Sequence, residues 1–225
     1  ISHYPKTFTW GCPGERQIFL ATAGNLATSQ AVISTLSERN KAANDRKPSI
    51  LEAPSMFQVA RIVSQTLAEV IGITSPDEQA SESTFSVTFI LGGQVKGGDM
   101  RLYLIYPEGN FIEVSEENPF FQIGETKYGR PILVRAFDPE MSVEAATKLL
   151  MVSFDSTIKA NLSVGLPLDI HVYEKDSLNP ARKGVVDTNN AYYRMISGKW
   201  AESLKNSLAA LPELNFETDV STEGD

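Results

Sequence analysis

Alternating hydrophobic and polar residues predict β-strands in several parts of the chain. The stretch QIFLATAG is rich in β-forming residues, and TFSVTFIL places Phe85, Val87 and Phe89 on one side of an extended chain. Two more strands flank the turn residues 107–110 in DMRLYLIYPEGNFIEV, and LPLDIHVY alternates in the same way later. The strands joined by short turns predict an antiparallel meander.

Apolar residues recur at helical spacing in other segments. A helix is expected to begin after Asn25, which suits an N-terminal cap, and a second follows Ser55 and Gln58, the pattern of a capping box. Gly72 is expected to end the second helix, and Ser142 to cap a third that is buried between neighbours. The last helix carries the apolar stripe Ile196, Trp200, Leu204, Leu208 and Leu211.

Helices and strands follow one another in blocks rather than in strict alternation. This order favours an α+β fold in which helix pairs cover antiparallel sheets. The first two helices, joined by the charged link ERNKAANDRKPSILEAP, are expected to pack as neighbours. We predict a single domain over residues 1–211 and an acidic tail over residues 212–225 that is expected to be disordered.

Composition and charge exclude several classes of function. The chain has 225 residues, 42% of them hydrophobic and 21% charged. No apolar run approaches the length of about 18 residues that a membrane-spanning helix needs. The net charge of −8 offers no broad basic surface to nucleic acid. We therefore expect neither a membrane nor a nucleic-acid partner.

Residues that commonly bind metals are scarce or exposed. The single cysteine, Cys12, forbids an internal disulfide, which fits a reducing compartment and predicts a cytoplasmic location. With two histidines in the chain, no zinc site of usual spacing can form, and His171 is expected to be structural. No metal or cofactor is predicted. The loop acids interpreted as solvated charges are Asp99, Glu108, Glu113, Glu116 and Glu117.

Three further features indicate ordinary structural roles when they are read locally. Gly24, between a strand and a helix, has the position of a turn glycine. Lys6 has the position of a solvated surface lysine. The stretch GGQVKGG joins two strands, whereas a phosphate loop opens a helix, so we interpret it as a flexible hairpin connection.

Five stretches, in this order along the chain, resemble a known family. They are NLATSQAV, PSMFQVAR, QIGETKYGRPIL, ANLSVGLPLDIHVY and NAYYRMISGKW. Together they resemble the proteasome-related proteins called the ancestral β-subunit family, Anbu, from Ile1 to about Leu211. That family is similar to proteasome β-subunits and the HslV peptidase. The resemblance implies the N-terminal nucleophile hydrolase fold, a four-layer αββα sandwich.

The resemblance also implies a mechanism and assigns residues to it. In such enzymes the side chain of an N-terminal Thr, Ser or Cys attacks a peptide carbonyl, and its own α-amine accepts the proton. A free α-amine has a pKa of about 7.7–8.0, close to working pH, which suits a general base. Lys6 matches the activating lysine, Gly24 the residue whose N–H faces the oxyanion, and Ser163 the serine that supports the amine.

This chain departs from the proteasomal pattern at two positions. Glu125, in the Gly124-Glu125 turn, stands where a serine is usual, and Ala160 or Asn161 stands near the place of an aspartate. The nucleophile is expected upstream of Lys6 on a strand hairpin that these residues do not contain. The sequence begins with Ile1 rather than Met, so we expect that it starts inside the natural protein.

Two classes of function therefore stand open. The first is a peptidase or amidohydrolase subunit that cleaves peptide or protein substrates within a ring or helical homo-oligomer, with or without an ATPase partner. The second is a noncatalytic assembly subunit with the same fold. A third, a small-ligand-binding α+β domain, lacks a convincing pocket pattern in the sequence.

Overall fold

The protein is described by a computed structural model that covers residues 4–41, 47–74 and 85–215. The strands are β1 (Thr7–Cys12), β2 (Arg16–Gly24), β3 (Val87–Val95), β4 (Arg101–Ile105), β5 (Phe111–Glu113), β6 (Leu168–Val172) and β7 (Arg182–Val186). The helices are α1 (Leu26–Lys41), α2 (Met56–Thr74), α3 (Arg130–Ala136), α4 (Val143–Ala160) and α5 (Ala191–Ala209). None of these helices is both long and apolar enough to cross a membrane.

The strands form two antiparallel sheets. β1 to β5 make a five-stranded sheet in chain order, and β6 and β7 make a two-stranded sheet. The predicted meander and the α+β class are confirmed. Strand β7 was not predicted from the sequence. Only Val186 among its five residues is buried, so no alternation of apolar and polar residues marks it, and Gly184 has a low β-propensity.

The first hydrophobic core lies between α1, α2 and one face of the five-stranded sheet. Ile18 and Leu20 from β2 and Phe89 from β3 are fully buried in it. Burial of these apolar side chains away from water is the main force that holds the helices on the sheet. The helices contribute Val32, Leu36, Val59, Val63 and Leu67.

A buried arginine ties α1 to α2. Arg39 donates from Nη1 to Thr66 Oγ1 at 2.7 Å and from Nη2 to Glu69 Oε2 at 2.8 Å. Its side chain is 5% exposed, so the pair is partly withdrawn from water. The prediction that the two helices pack as neighbours is confirmed.

The second core lies between α4, α5 and the two-stranded sheet. It contains Met151 and Val152 from α4, Val186 from β7 and Ile196 from α5. The Tyr193 hydroxyl donates to Asp155 Oδ1 at 3.1 Å, and burial, with the nearby Asp155 charge, raises the pKa of Tyr193 to about 12. This phenol therefore stays protonated and fixes α5 to α4.

The two sheets contact each other through aromatic side chains. The ring of Phe19 in β2 lies 6.4 Å from the ring of His171 and 5.3 Å from that of Tyr173. Gln94, which is 2% exposed, accepts from the Tyr173 hydroxyl at 3.0 Å and donates to Asp176 Oδ1 at 2.6 Å. The loop after β6 is therefore joined to β3 by a buried amide.

The predicted N-terminal caps of the helices are confirmed, whereas the predicted C-terminal end of α2 is not. Ser142 accepts from Ala145 N–H at 3.1 Å, and Ser55 from Gln58 N–H at 3.3 Å, as predicted. The prediction that Gly72 ends α2 is wrong, because the helix continues to Thr74. A glycine inside a helix costs only about 1 kcal/mol, which the packing of α2 against the sheet offsets.

Two other sequence interpretations are revised. The first glycines of GGQVKGG lie inside β3, so only its last residues form the hairpin turn. The stripe on α5 is buried at Ile196, but Leu204 is 50% and Leu208 71% exposed. The acidic tail falls largely outside the described residues, which end at residue 215.

Candidate active site

The junction between β2 and α1 requires a glycine. Gly24 has φ +113° and ends β2, and a Cβ atom built on it would overlap the carbonyl oxygen of Ser86. The next backbone N–H, that of Asn25, donates to the same oxygen at 2.8 Å. Gly24 itself is exposed. The backbone at this position is thus close to a neighbouring strand and open to solvent.

Side-chain hydrogen bonds fix the backbone at this junction. Asn25 Oδ1 accepts from Thr28 N–H at 2.9 Å, which confirms the predicted cap of α1. The Ser29 hydroxyl donates to the Asn25 carbonyl at 2.8 Å, and Ser29 Oγ and Thr22 Oγ1 share a hydrogen bond of 2.8 Å. Thr22 and Ser29 are buried. Sequence reasoning missed both, because no local pattern links a strand hydroxyl to a helix hydroxyl.

Lys6 lies beside the end of β2. Its carbonyl oxygen accepts from Thr22 N–H at 2.9 Å, just before β1 pairs with β2 at Thr7 and Ala21. The Lys6 side chain is exposed. No hydrogen bond or ion pair joins its Nζ to another residue in the described part of the chain.

The Gly124-Glu125 turn reaches the same place from a distant part of the sequence. Gly124 has φ +78°, and a Cβ atom built on it would lie 3.3 Å from the Cβ atom of Ala23. The turn therefore packs against the residue that precedes Gly24. Glu125 Oε1 accepts from the backbone N–H of Lys127 at 2.9 Å, which closes the turn.

Glu125 and Ser163 belong to one hydrogen-bond network. Asn161, at the end of α4, donates from Nδ2 to Glu125 Oε2 at 2.8 Å. Its Oδ1 accepts from the Ser163 hydroxyl at 2.7 Å and from the Ser163 N–H at 2.9 Å. The Lys127 N–H, followed by the Asn161 amide, lowers the pKa of Glu125 because both favour its charged form. The carboxylate is therefore ionised near neutral pH.

Of the four site residues predicted from the sequence, three are connected by packing and hydrogen bonds, and Lys6 is connected less directly. Glu125 and Ser163 share the Asn161 network, and this network is linked to Gly24 through the contact of Gly124 with Ala23. Lys6 is linked to the group only through the β1–β2 backbone. These groups offer a cation, a hydroxyl, a carboxylate and backbone amides, which can orient and stabilise a reacting group.

An apolar groove lies between the five-stranded sheet and β6. It has a volume of about 440 Å³, and its walls include Phe19, Ala21, Ile90, Leu102, His171 and Tyr173. Ala21 precedes Gly24 by three residues on β2, so the groove extends along the strand that ends at the junction. Its walls are mostly apolar and would accept an apolar side chain.

His171 occupies one wall of this groove. Its Nε2 lies 3.4 Å from Thr7 Oγ1, and its ring meets the Phe19 ring edge to face. Burial, and then the nearby Lys183 charge, lowers the pKa of His171. A neutral, half-buried imidazole between two sheets has the features of a structural histidine, as the sequence predicts.

The acidic residues do not converge on one point. Arg101 pairs with Asp99 at 3.1 Å and with Glu113 at 2.7 Å on the surface. Across residues 4–41, 47–74 and 85–215, no group of three or more His, Cys, Asp or Glu residues is arranged to hold a metal ion.

We compared the chain with protein-family models, curated proteins and solved structures. No protein-family model matches the chain, and no curated protein matches it significantly. The chain is 37% identical to Anbu (ancestral beta-subunit) from Yersinia bercovieri, with a TM-score of 0.86, over 95% of this chain and 88% of that one. It is 40% identical to Anbu from Hyphomicrobium sp. strain MC1, also with a TM-score of 0.86, over 95% and 88% of the two chains.

A third solved structure extends this similarity to an assembly. The chain is 41% identical to the protein in the helical assembly of the Anbu complex from Pseudomonas aeruginosa, with a TM-score of 0.89, over 96% of this chain and 88% of that one. Identity at this level over nearly the whole of both chains indicates common descent as well as a common fold. The chain therefore belongs to Anbu, the ancestral β-subunit family.

Proposed function

We propose that this protein is a proteasome-type N-terminal nucleophile peptidase or amidohydrolase subunit that cleaves peptide or amide bonds. One observation carries the proposal. Gly24, Glu125 and Ser163 are far apart in the sequence, and the packing of Gly124 on Ala23 and the Asn161 network bring their segments together. Lys6 comes just before β1, and its carbonyl oxygen accepts from the Thr22 N–H beside them.

Each residue has a role in the proposed reaction. An N-terminal hydroxyl or thiol attacks the carbonyl carbon of the substrate, and the α-amine of the same residue takes its proton. The Lys6 ammonium disfavours protonation of that amine, so the amine stays available as a base. The Gly24 N–H donates to the oxyanion, and one such donor contributes about 3 kcal/mol to lowering the barrier. The amine itself is held by Ser163.

The proposal includes the four-layer αββα architecture of N-terminal nucleophile hydrolases. Two packing relationships support it. α1 and α2 cover one face of the five-stranded sheet, and α4 and α5 cover the two-stranded sheet. Between the sheets, Phe19 contacts His171 and Tyr173. The order helices, sheet, sheet, helices accounts for all of these contacts.

We also propose that the protein assembles into a ring or helical homo-oligomer that encloses its active sites. The relative from Pseudomonas aeruginosa is described as a helical assembly. On this chain, Leu204 and Leu208 at the end of α5 and Leu211 just after it are exposed, and they form an apolar surface that a second copy would cover. A cytoplasmic location, as expected from the single Cys12, completes the proposal.

A second candidate is a noncatalytic assembly subunit. It is favoured by Glu125, which stands where a serine is usual, and by the exposed leucines of α5, which serve assembly without any reaction. The two candidates share a fold and differ in whether a nucleophile is present at the mature N-terminus.

The experiment uses the protein purified from its natural source. Its intact mass gives the mature N-terminal residue, and its mass in the native state gives the number of subunits. The same sample is incubated with a peptide β-lactone, which acylates an attacking hydroxyl or thiol. An N-terminal Thr, Ser or Cys that carries the label supports the peptidase. Any other N-terminal residue, with no label, supports the assembly subunit and contradicts the peptidase.

A further inference from the structure

The side chain of Asn161 connects Glu125 and Ser163 with two different kinds of hydrogen bond. Its Nδ2 donates to Glu125 Oε2 at 2.8 Å, whereas its Oδ1 accepts from Ser163 Oγ at 2.7 Å. A carboxamide offers a donor and an acceptor at two separate atoms of one planar group, whereas an ionised carboxylate of the same shape offers acceptors alone. The network therefore depends on the amide.

We propose that Asn161 is a positioning residue for the candidate active site, an inference that rests on the proposed peptidase function. Because the Ser163 hydroxyl donates its hydrogen bond to Asn161 Oδ1, the lone pairs of Ser163 Oγ point elsewhere. Ser163 is exposed, so these lone pairs can accept an N–H of the N-terminal amine. An amine held by its N–H keeps its own lone pair for the proton of the nucleophile.

Glu125 makes this arrangement stable. Its Oε1 accepts from the Lys127 N–H at 2.9 Å, so both carboxylate oxygens have donors and the group is fixed in orientation. The carboxylate charge polarises the Asn161 amide, which strengthens Oδ1 as an acceptor for Ser163. Glu125 thus acts on Ser163 through Asn161, and not by direct contact.

A structural role of Asn161 can be separated from this one. Its backbone N–H donates to the Thr157 carbonyl at 2.8 Å and ends α4. That bond uses the main chain and survives replacement of the side chain. Substitutions of the carboxamide therefore test the side-chain network while the helix end is kept.

The first test replaces Asn161 with an isosteric acid in the protein with its native N-terminus. N161D places a carboxylate against the Glu125 carboxylate and removes the Nδ2 donor between them. We expect the rate of acylation by a peptide β-lactone at pH 8 to fall about tenfold, the equivalent of one charge-assisted hydrogen bond. Carbon-13 NMR should show that the pKa of Glu125 rises, since like charges disfavour its ionised form.

The second test exchanges the two groups. In the E125Q/N161D double variant the amide at position 125 can donate to the carboxylate at position 161, and the Lys127 N–H keeps an oxygen to bond. Ser163 again donates to an oxygen of position 161. We expect the double variant to recover acylation to within about threefold of the wild-type rate, a loss smaller than that of one charge-assisted hydrogen bond.

A double-mutant cycle checks that Asn161 acts through Ser163. N161A and S163A should lower the acylation rate by similar factors, and N161A/S163A by no more than either. The matched control is N190D, because Asn190 caps α5 through Tyr193 N–H and lies outside the network. N190D should label at the wild-type rate.

The outcomes distinguish the two proposals. If wild-type protein is not acylated, the proposed peptidase function fails, and the positioning role fails with it. If wild-type protein is acylated and N161D reacts equally fast, only the positioning role fails. A double variant that stays as slow as N161D, or additive losses from N161A and S163A, would overturn the positioning role in the same way.

Discussion

The carbonyl oxygen of Ser86 occupies the space that a Cβ atom at Gly24 would need. We therefore expect G24A to destabilise the protein by about 2 kcal/mol or more, since it adds a steric overlap to a backbone conformation that alanine avoids. Urea denaturation measures the change in the free energy of unfolding. The control is G97A: Gly97 has φ +81° but nothing near its Cβ position, so it should cost about 1 kcal/mol. Equal losses would contradict the role given to Ser86.

Replacement of Lys6 tests the activating cation. K6A should keep the fold and the assembly, because the Lys6 side chain is exposed and only its carbonyl bonds to Thr22. We expect acylation by a peptide β-lactone to fall sharply at pH 7, since without the nearby ammonium group the amine is mostly protonated. K96A, at an exposed lysine in the β3–β4 turn, should label normally. Unchanged labelling of K6A would remove Lys6 from the site.

His171 should make stability depend on pH. Its pKa is lowered in the folded protein, so below about pH 6.5 the unfolded chain binds the proton more readily than the folded chain does. The free energy of unfolding should therefore fall as the pH is lowered from about 6.5 through the lowered pKa. H171Q should lose this dependence in that window. An equally steep decline in H171Q would show that another group is responsible.

The hydrogen bonds of Gln94 to the loop after β6 should contribute to the stability of the protein. Q94A would leave the Tyr173 hydroxyl and the Asp176 N–H without their acceptor in a partly buried place. We expect it to destabilise the protein by about 1–2 kcal/mol in urea denaturation, since the lost hydrogen bonds are only partly shielded from water. Q65A, at an exposed glutamine on α2, should change stability by less than about 0.5 kcal/mol. Similar losses in the free energy of unfolding for Q94A and Q65A would contradict this role of Gln94.

The end of α5 should control assembly. L208E places a charge on a leucine that is 71% exposed in the isolated chain and would be buried against a second copy. Native mass spectrometry should then show smaller species at an unchanged melting temperature, because burial of an unpaired charge opposes association. S207E, on the neighbouring exposed position, should assemble like the wild type. Normal assembly of L208E would exclude this surface as a subunit contact.

Local chemistry explains which structural predictions succeed. Asn25 and Ser142 cap helices because their side chains bond to backbone groups within the same turn. The end of α2 and the strand β7 could not be predicted, because both depend on packing against other elements. Gly72 stays helical within a helix whose core face is buried, and β7 has a single buried residue to mark it.

The contacts that form the candidate site could not be predicted from the sequence either, because they join residues that are far apart in the chain. No pattern in the sequence joins Glu125 to Asn161, which are 36 residues apart, or Gly124 to Ala23. The resemblance to the ancestral β-subunit family selected Lys6, Gly24, Glu125 and Ser163. The role of Asn161 as the link between two of them appears only when the folded chain brings the three side chains together.

Ala23 lies between the two parts of the candidate site. On one side, its Cβ atom lies 3.3 Å from the position that a Cβ atom on Gly124 would take, and on the other its backbone leads directly into Gly24. A larger side chain at position 23 would push the Gly124-Glu125 turn outward and carry the Asn161 network with it. A single methyl group therefore sets the distance between the carboxylate network and the backbone amide of the junction.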